Sequence, residues 1–355
     1  MIVLADASLP ELGPLFPKPL ILERYKNEDE LKSLLPKADV LLCRSTLKVT
    51  ADLIDGSSLQ AVATASSGID HIDSNYLKKN GIALFNAHGS NAVAVADYVV
   101  SSIAHLDKAK KLTGRKAGII GAGKVGSEVA KRLRTLGFKV LRFDPIKAEE
   151  NPKETYYPKE ALFSCDLLCI HANLHDTKPY PSRNLIDADF LAKIKPGAAI
   201  INAARGSIVH EEALLQSKTP ITYCTDVYTG EPQVDERIVE FAEICTPHIA
   251  GHSIEAKIAA VVQTSAQIHQ FFGLSAPEFK HQESPKQPKA LAQHSWQDFI
   301  LNLYNPTIET AALKNAGNKK DAFLALRPAH NARHDFSFFD APEMNQQFKK
   351  LIGVM

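Results

Sequence analysis

Residues 116–145 constrain this chain more than any other segment. They read KAGIIGAGKVGSEVAKRLRTLGFKVLRFDP, in which Gly121, Gly123 and Gly126 form G-x-G-x-x-G directly after an apolar run and at the opening of a helical pattern. The three glycines serve separate physical needs, namely the tight turn, the close approach of backbone to a phosphate, and close helix–strand packing. The helix N-terminus that follows presents free N–H groups and the positive end of the helix dipole, which together favour an anion. Asp144 ends the second apolar run, where a carboxylate accepts from both hydroxyls of a ribose and repels a 2′-phosphate. The segment therefore predicts a strand–helix–strand unit holding a dinucleotide, NAD in preference to NADP, with the cation of Lys147 close by. Such a motif standing alone is weak; the strand before it and the helix after it make it specific.

The same alternation runs through most of the chain. Ile2–Asp6, Asp39–Ser45, Gln60–Ser66 and Ile82–Asn86 read as strands, with helices expected at Asp29–Pro36 and Asn75–Lys79. A long helical pattern follows Ser90, a suitable N-cap, and carries lysines in its last turn. A second series then runs through strands at Ala117–Ile120, Lys139–Phe143, Leu167–His171, Ala198–Asn202 and Ile221–Val227. Its helices are expected at Lys124–Leu136, Ala188–Ile194 and Glu211–Ser217. Strands alternating with helices imply parallel pairing through crossovers. Beyond these, Ser253–Phe272 reads as one long helix capped by Ser253, and Pro277, Pro285 and Pro288 mark an irregular connection. The aromatic residues after Ser295 supply enough surface for a small third domain or a dimer contact. The expected fold class is α/β: two doubly wound parallel-sheet (Rossmann-like) domains with an interdomain cleft, plus a small C-terminal α+β domain.

Composition narrows the partners. The 355 residues carry 41 Lys plus Arg against 40 Asp plus Glu, a net charge of +1 that argues against nucleic acid or an anionic membrane as a bulk partner. No apolar run is long enough to span a bilayer, and MIVLADASLP lacks the basic and apolar regions of a signal peptide. A cytoplasmic location is expected. Cys43, Cys165, Cys169, Cys224 and Cys245 form neither a Cys-x-x-Cys pair nor a zinc cluster, so buried reduced thiols and no metal site are expected.

Three further segments place polar residues after apolar strands. In PGAAIINAARGSIV, Arg205 precedes Gly206; in ITYCTDVYTGEP, Asp226 sits at the strand exit and Glu231 precedes Pro232; in EICTPHIAGHS, His248 follows Pro247. Taken singly, each fits a surface ion pair or a solvated turn. Together and in this order they supply what oxidation of a 2-hydroxy acid needs. A guanidinium holds the substrate carboxylate and polarises the 2-oxygen. An imidazole takes the hydroxyl proton as hydride leaves C2, and a carboxylate orients that imidazole and favours its protonated form.

The segments NAARG, TDVYTGEP and TPHIAGH, following GAGKVG, resemble the D-isomer-specific 2-hydroxyacid dehydrogenase family over about residues 1–275. The resemblance implies Arg205, Glu231 and His248 as catalytic residues, with His248 the acid/base. It implies Gly121, Gly123, Lys124, Val125, Gly126, Asp144, Asn173, Ala203, Asp226 and Gly251 as NAD-binding residues, Asp226 on the nicotinamide side. It also implies a substrate domain split around an inserted NAD domain: 1–90 with 253–275 for the substrate (lid) domain, 91–252 for the NAD domain. Residues 276–355 are then a C-terminal dimerisation domain, as in members acting on a phosphorylated 2-hydroxy acid, which are homodimers.

MIVLADASLP, LLCRSTLKV, VATASSGIDHID and NAHGSNAVAVADYVVSS carry that narrower resemblance, which makes Ser45, Ser66 and His252 substrate-binding residues. Ser66 stands where Thr is common among such members, and His252 where Tyr is common. A phosphate dianion needs donors; Arg44, Ser45, Ser66 and His252 are candidates, with Arg327 or Arg333 reaching across a dimer. Two other readings stay open at this point. One is a 2-hydroxyacid dehydrogenase acting on 3-phosphoglycerate, glycerate or hydroxypyruvate, the other a non-enzymatic NAD-sensing scaffold, and turnover separates them.

Overall fold

The structure is a computed structural model that describes residues 1–280, 295–330, 333–339 and 346–354. Pro285 and Pro288 lie outside the described residues. The chain divides into two compact units. Met1–Asn91 and the described residues from Ser253 to 280 form the first; Ala92–His252 and the described residues from 295 onward form the second.

In the first unit, β1 (Ile2–Asp6), β2 (Ile21–Tyr25), β3 (Val40–Cys43), β4 (Ala61–Thr64) and β5 (Ala83–Asn86) pair in parallel in the order β2-β1-β3-β4-β5. The runs VLLC and AVAT are buried on both faces, as helix-covered parallel strands must be, so they read from sequence as continuous apolar stretches. Strand β2, ILERY, was not expected. It lies at the sheet edge with only Tyr25 buried and so lacks that signature. The helix Ile254–Phe271 closes the unit, and Ser253 caps it as expected by accepting from the Ala256 N–H at 3.0 Å. Val261 and Ile268 on that helix pack with Val3, Val40 and Ala61.

The second unit holds β6 (Lys116–Ile120), β7 (Lys139–Phe143), β8 (Leu167–Ile170), β9 (Ala198–Asn202), β10 (Ile221–Thr225) and β11 (Ile244–Cys245), all parallel, in the order β11-β10-β9-β8-β6-β7. Alternate residues build two cores. Ile119, Cys169, Ile201 and Cys224 face one side; Ile120, Ile170, Ile200 and Tyr223 face the other. The first core is covered by the helices Ala92–Lys108 and Lys124–Thr135. The former begins at Ala92, beyond the expected cap at Ser90.

Several apolar residues after Ser295 pack onto this same unit, while Ile308 and Leu324 stay exposed, and the described part is mostly helical. Phe299 and Ile300 from helix Trp296–Leu303, with Leu351 and Ile352, join the first core. Leu313 and Phe323, from helices Thr307–Asn315 and Lys319–Ala329, join the second. The C-terminal region is also tied down by charge. Asp97 and Arg132, both fully buried, form an ion pair, and the Phe336 N–H donates to the other Asp97 oxygen at 2.7 Å. All five cysteines are buried thiols, and burial pushes Cys165 up to about 11 and Cys43 up to about 12, so both stay protonated.

Candidate active site

Parallel strands put their carboxyl ends on one edge, and side chains on the loops beyond that edge converge. In the second unit, strand order turns distant sequence into a row. His248 lies beyond β11, Asp226 and Glu231 beyond β10, Ala203 and Arg205 beyond β9, Asn173 beyond β8, Gly121–Gly126 beyond β6, and Asp144 beyond β7. Three strand spacings, about 14 Å, separate β7 from β9, within the reach of an extended dinucleotide.

His248 and Glu231 meet from loops after adjacent strands. Nδ1 of His248 lies 2.7 Å from Oε2 of Glu231, and the Tyr228 N–H donates to Oε1 at 2.8 Å. With Nδ1 on the carboxylate, Nε2 is the nitrogen placed to exchange a proton. Burial alone pushes the Glu231 carboxyl up. The His248 charge and hydrogen bond, the Tyr228 N–H and the Arg327 charge more than offset this and hold it below the usual carboxylate range.

The backbone of His248 is itself unusual, with φ +56°, a left-handed conformation that costs a side-chain-bearing residue on the order of 1 kcal/mol or more. Asp226 over-determines it. The Asp226 carbonyl accepts from the His248 N–H at 2.8 Å. Its carboxylate accepts from Thr246 Oγ1 at 2.7 Å and from the Ile249 and Ala250 N–H groups at 2.8 Å each. Asp226 is 1% exposed, and burial raises its proton affinity against the opposing effects of the His248 charge and these donors. Expected beside a nicotinamide, Asp226 therefore has both oxygens engaged in clamping the loop that carries His248.

Arg205 is positioned by two residues that the sequence did not single out for that role. Asn202, fully buried at the end of β9, donates from Nδ2 to the Arg205 carbonyl at 2.9 Å and accepts from the Ala204 N–H at 3.1 Å. A Cβ on Gly206 would stand 1.9 Å from the Tyr228 carbonyl carbon, so only glycine lets the two strand exits pack this closely. The Asn-Ala-Ala-Arg-Gly string was visible; that its first residue is a buried bracket was not.

The glycine-rich turn fits a dinucleotide. Gly121 has φ +88°, and a Cβ there would lie 2.5 Å from the Ala172 nitrogen; one on Gly126 would lie 2.0 Å from the Gly121 oxygen. A Cβ on Gly123 meets nothing within 4 Å, so the turn is open at the helix N-terminus, where a pyrophosphate is expected. Asp144 braces the turn, accepting from the Ala122 N–H at 2.8 Å through Oδ2 and from the Lys147 N–H at 3.1 Å through Oδ1. A carboxylate has about four acceptor positions, so capacity for ribose hydroxyls remains. Val125 and Gly251 are half-buried, Lys124 and Asn173 exposed, and the Asn173 carbonyl is held by Ser182 Oγ at 2.6 Å. Among the described residues no group of three or more His, Cys, Asp or Glu is placed to hold a metal.

The expected substrate ligands fall in both units. Ser45 is exposed beyond β3 and Ser66 half-buried beyond β4, both in the first unit, whereas His252 belongs to the second. Ser66 Oγ donates to the Gly68 carbonyl at 2.8 Å and lies 2.9 Å from Thr64 Oγ1. Arg44 Nε pairs with Asp6 Oδ2 at 2.8 Å.

Of Arg327 and Arg333, the two candidate phosphate donors across a dimer, Arg333 is buried in its own chain. Arg333 is 8% exposed and donates to the carbonyls of His252 (3.0 Å), Ala250 (2.7 Å) and Ala94 (3.3 Å). Arg327 lies where its charge acts on Glu231 of its own chain. Burial decides the outcome for Arg333, whose guanidinium is spent on carbonyls of the second unit, while Arg327 is half-buried.

Residues 86–250 match the family model described as D-isomer specific 2-hydroxyacid dehydrogenase, NAD binding domain. The chain belongs to the D-isomer specific 2-hydroxyacid dehydrogenase family, and its nucleotide is NAD. Among its relatives is the erythronate-4-phosphate dehydrogenase of Legionella pneumophila strain Philadelphia 1, 50% identical over 348 residues that cover 98% of this chain and 99% of that one. The erythronate-4-phosphate dehydrogenase of Coxiella burnetii strain RSA 493 is 36% identical over 348 residues, 94% of this chain and 93% of the relative. Among solved structures, the NAD-bound 3-phosphoglycerate dehydrogenase of Entamoeba histolytica superposes with a TM-score of 0.63 at 23% identity, over 80% of this chain and 99% of that one. The NAD-dependent formate dehydrogenase of Staphylococcus aureus gives 0.61 at 22%, over 77% and 96%. At those identities the structures speak for the fold.

Proposed function

We propose that this chain oxidises 4-phospho-D-erythronate at C2, giving (R)-3-hydroxy-2-oxo-4-phosphobutanoate, NADH and a proton, a step in pyridoxal 5′-phosphate biosynthesis. The geometry that carries the reaction type is the His248–Glu231 pair at 2.7 Å. The choice of substrate is supported by the 50% identical relative, matched over nearly its full length. NAD, held at Gly121–Gly126 and Asp144, supplies the hydride acceptor. Nε2 of His248 takes the C2 hydroxyl proton, and Glu231 stabilises the imidazolium that forms. Arg205 holds the substrate carboxylate and draws charge onto the 2-oxygen.

Ser45, Ser66 and His252 are assigned to substrate binding, and Lys124, Val125, Asn173, Ala203, Asp226 and Gly251 to the surroundings of NAD. Residues 1–90 with 253–275 are assigned to the substrate domain, 91–252 to the NAD domain and 276–355 to dimerisation. A cytoplasmic homodimer is the expected state, and light scattering of the purified chain checks the stoichiometry. The deciding experiment is single-turnover NADH formation from 4-phospho-D-erythronate, 3-phosphoglycerate and D-glycerate. A strong preference for the first supports the reading. Turnover of another acid alone refutes the substrate and retains the chemistry, and no turnover of any refutes both.

A further inference from the structure

The helix Lys319–Ala329 starts at an Asn318 cap, whose side chain accepts from the Asp321 N–H at 3.1 Å, and packs its Phe323–Leu326 face into the second core. The Phe323 ring, 1% exposed, meets the Tyr228 ring edge-on with centroids 6.0 Å apart. Tyr228 is the residue whose N–H holds Glu231 Oε1. Arg327 follows Phe323 by one helical turn and so shares its face. It is half-buried, its charge acts on Glu231, and among the described residues its guanidinium forms no hydrogen bond or ion pair.

Other charges press on the same pair. Glu211, from the helix Glu211–Leu215, faces Glu231 and Asp235 with like charge, and Asp226 faces His248. Arg205 stands at the next strand exit. A largely enclosed carboxylate beside another carboxylate tends to take up a proton, and then no longer pairs with an imidazolium.

We propose that Arg327 is a positioning residue for the proton transfer: a fixed cation, carried by a C-terminal helix, that keeps Glu231 ionised and so sets the pH at which the Glu231–His248 pair takes up its proton. This rests on His248 being the base, as proposed above.

The sign follows from charge alone. Removing a cation raises the proton affinity of both partners, so in the oxidative direction, which needs a neutral imidazole, activity is lost at a higher pH. For Arg327→Met with NAD bound, the acid limb of kcat/KM moves up by about half to one pH unit. The His248 ring-proton titration, followed by NMR, moves up with it. The kcat on the alkaline plateau stays within about twofold, and Arg327→Lys restores the original limb. Glu211→Gln removes the opposing charge and moves the limb down, and this variant carries the test if Arg327→Met does not fold. An unmoved limb in Arg327→Met, a Lys variant that behaves like Met, or an upward shift in Glu211→Gln overturns the proposal. An NMR midpoint that shifts with no turnover of any 2-hydroxy acid keeps the charge coupling and overturns the dehydrogenase reading instead.

Discussion

Glu231→Gln is the sharpest probe of the proposed chemistry, because it removes a charge and keeps the shape. The amide oxygen can still accept from one of the two donors that Glu231 serves, the Tyr228 N–H or His248 Nδ1. What is lost is attraction between a carboxylate and the imidazolium formed when His248 takes a proton. Unit charges about 4 Å apart attract by about 4 kcal/mol at an effective dielectric of 20 and about 1 kcal/mol in water. The two side chains are 31% and 21% exposed, so the pair sits between those limits, at about 1.5–3 kcal/mol for a hydrogen bond to a charged group. At about 1.4 kcal/mol per tenfold, that is about one to two pH units in the acid limb and about a 10- to 100-fold loss in turnover.

The direction is fixed as well. Glu231 favours the charged imidazole, oxidation needs the neutral one, and so the limb moves to lower pH in the variant. Stopped-flow NADH formation between pH 5 and 9 would read both effects. A variant whose limb stays in place and whose kcat stays within twofold would refute the role given to Glu231, whatever its effect on folding.

Three other perturbations follow from the same geometry. His248→Gln lowers turnover by about 10²- to 10⁴-fold and leaves NAD affinity unchanged, as single-turnover kinetics and calorimetric titration would show. Asp144→Ala frees the Ala122 and Lys147 N–H groups, so it weakens NAD binding, narrows the preference over NADP and costs about 1 kcal/mol of stability as a lost helix cap, readable by calorimetry with both nucleotides and by thermal melting. Asp97→Ala leaves the fully buried Arg132 with only Glu128, 3.5 Å away, as counter-ion and costs about 3–5 kcal/mol in denaturant unfolding; a loss under 1 kcal/mol would mean that the pair contributes little.

How much of this could be read from sequence depends on how local each signal is. Runs such as VLLC, AVAT and LLCI are buried on both faces of a parallel sheet, so their order alone betrays them. The glycine turn is equally local: Gly121 and Gly126 are required by atoms within the same strand–helix unit or its nearest neighbour. The edge strand ILERY carries no apolar run and was invisible. Arg205, Glu231 and His248 were legible as types at strand exits, because the chemistry restricts the side chains that can serve. Their brackets were not. Asn202 and Asp226 act through hydrogen bonds to loops on their own or an adjacent strand, and any buried polar residue at a strand end looks the same in one dimension. Arg333 was visible as a cation, yet only packing shows that it is spent on carbonyls of its own chain.

That packing also explains why the loop carrying His248 can be buried at all. A buried turn must find partners for its N–H and C=O groups, each of which costs about 1–3 kcal/mol if left unpaired. At residues 249 and 250 the Asp226 carboxylate accepts from the N–H groups. At residues 250 and 252 the Arg333 guanidinium donates to the carbonyls. One bracket comes from the end of β10 and the other from the C-terminal region, itself fastened through the Phe336 N–H to Asp97. Opposite charges thus grip complementary groups of one short segment and hold a left-handed histidine in place. The C-terminal region contributes to the proposed catalytic site in this way regardless of what it does between subunits, since Arg333 holds the His248 loop and the Arg327 charge acts on Glu231.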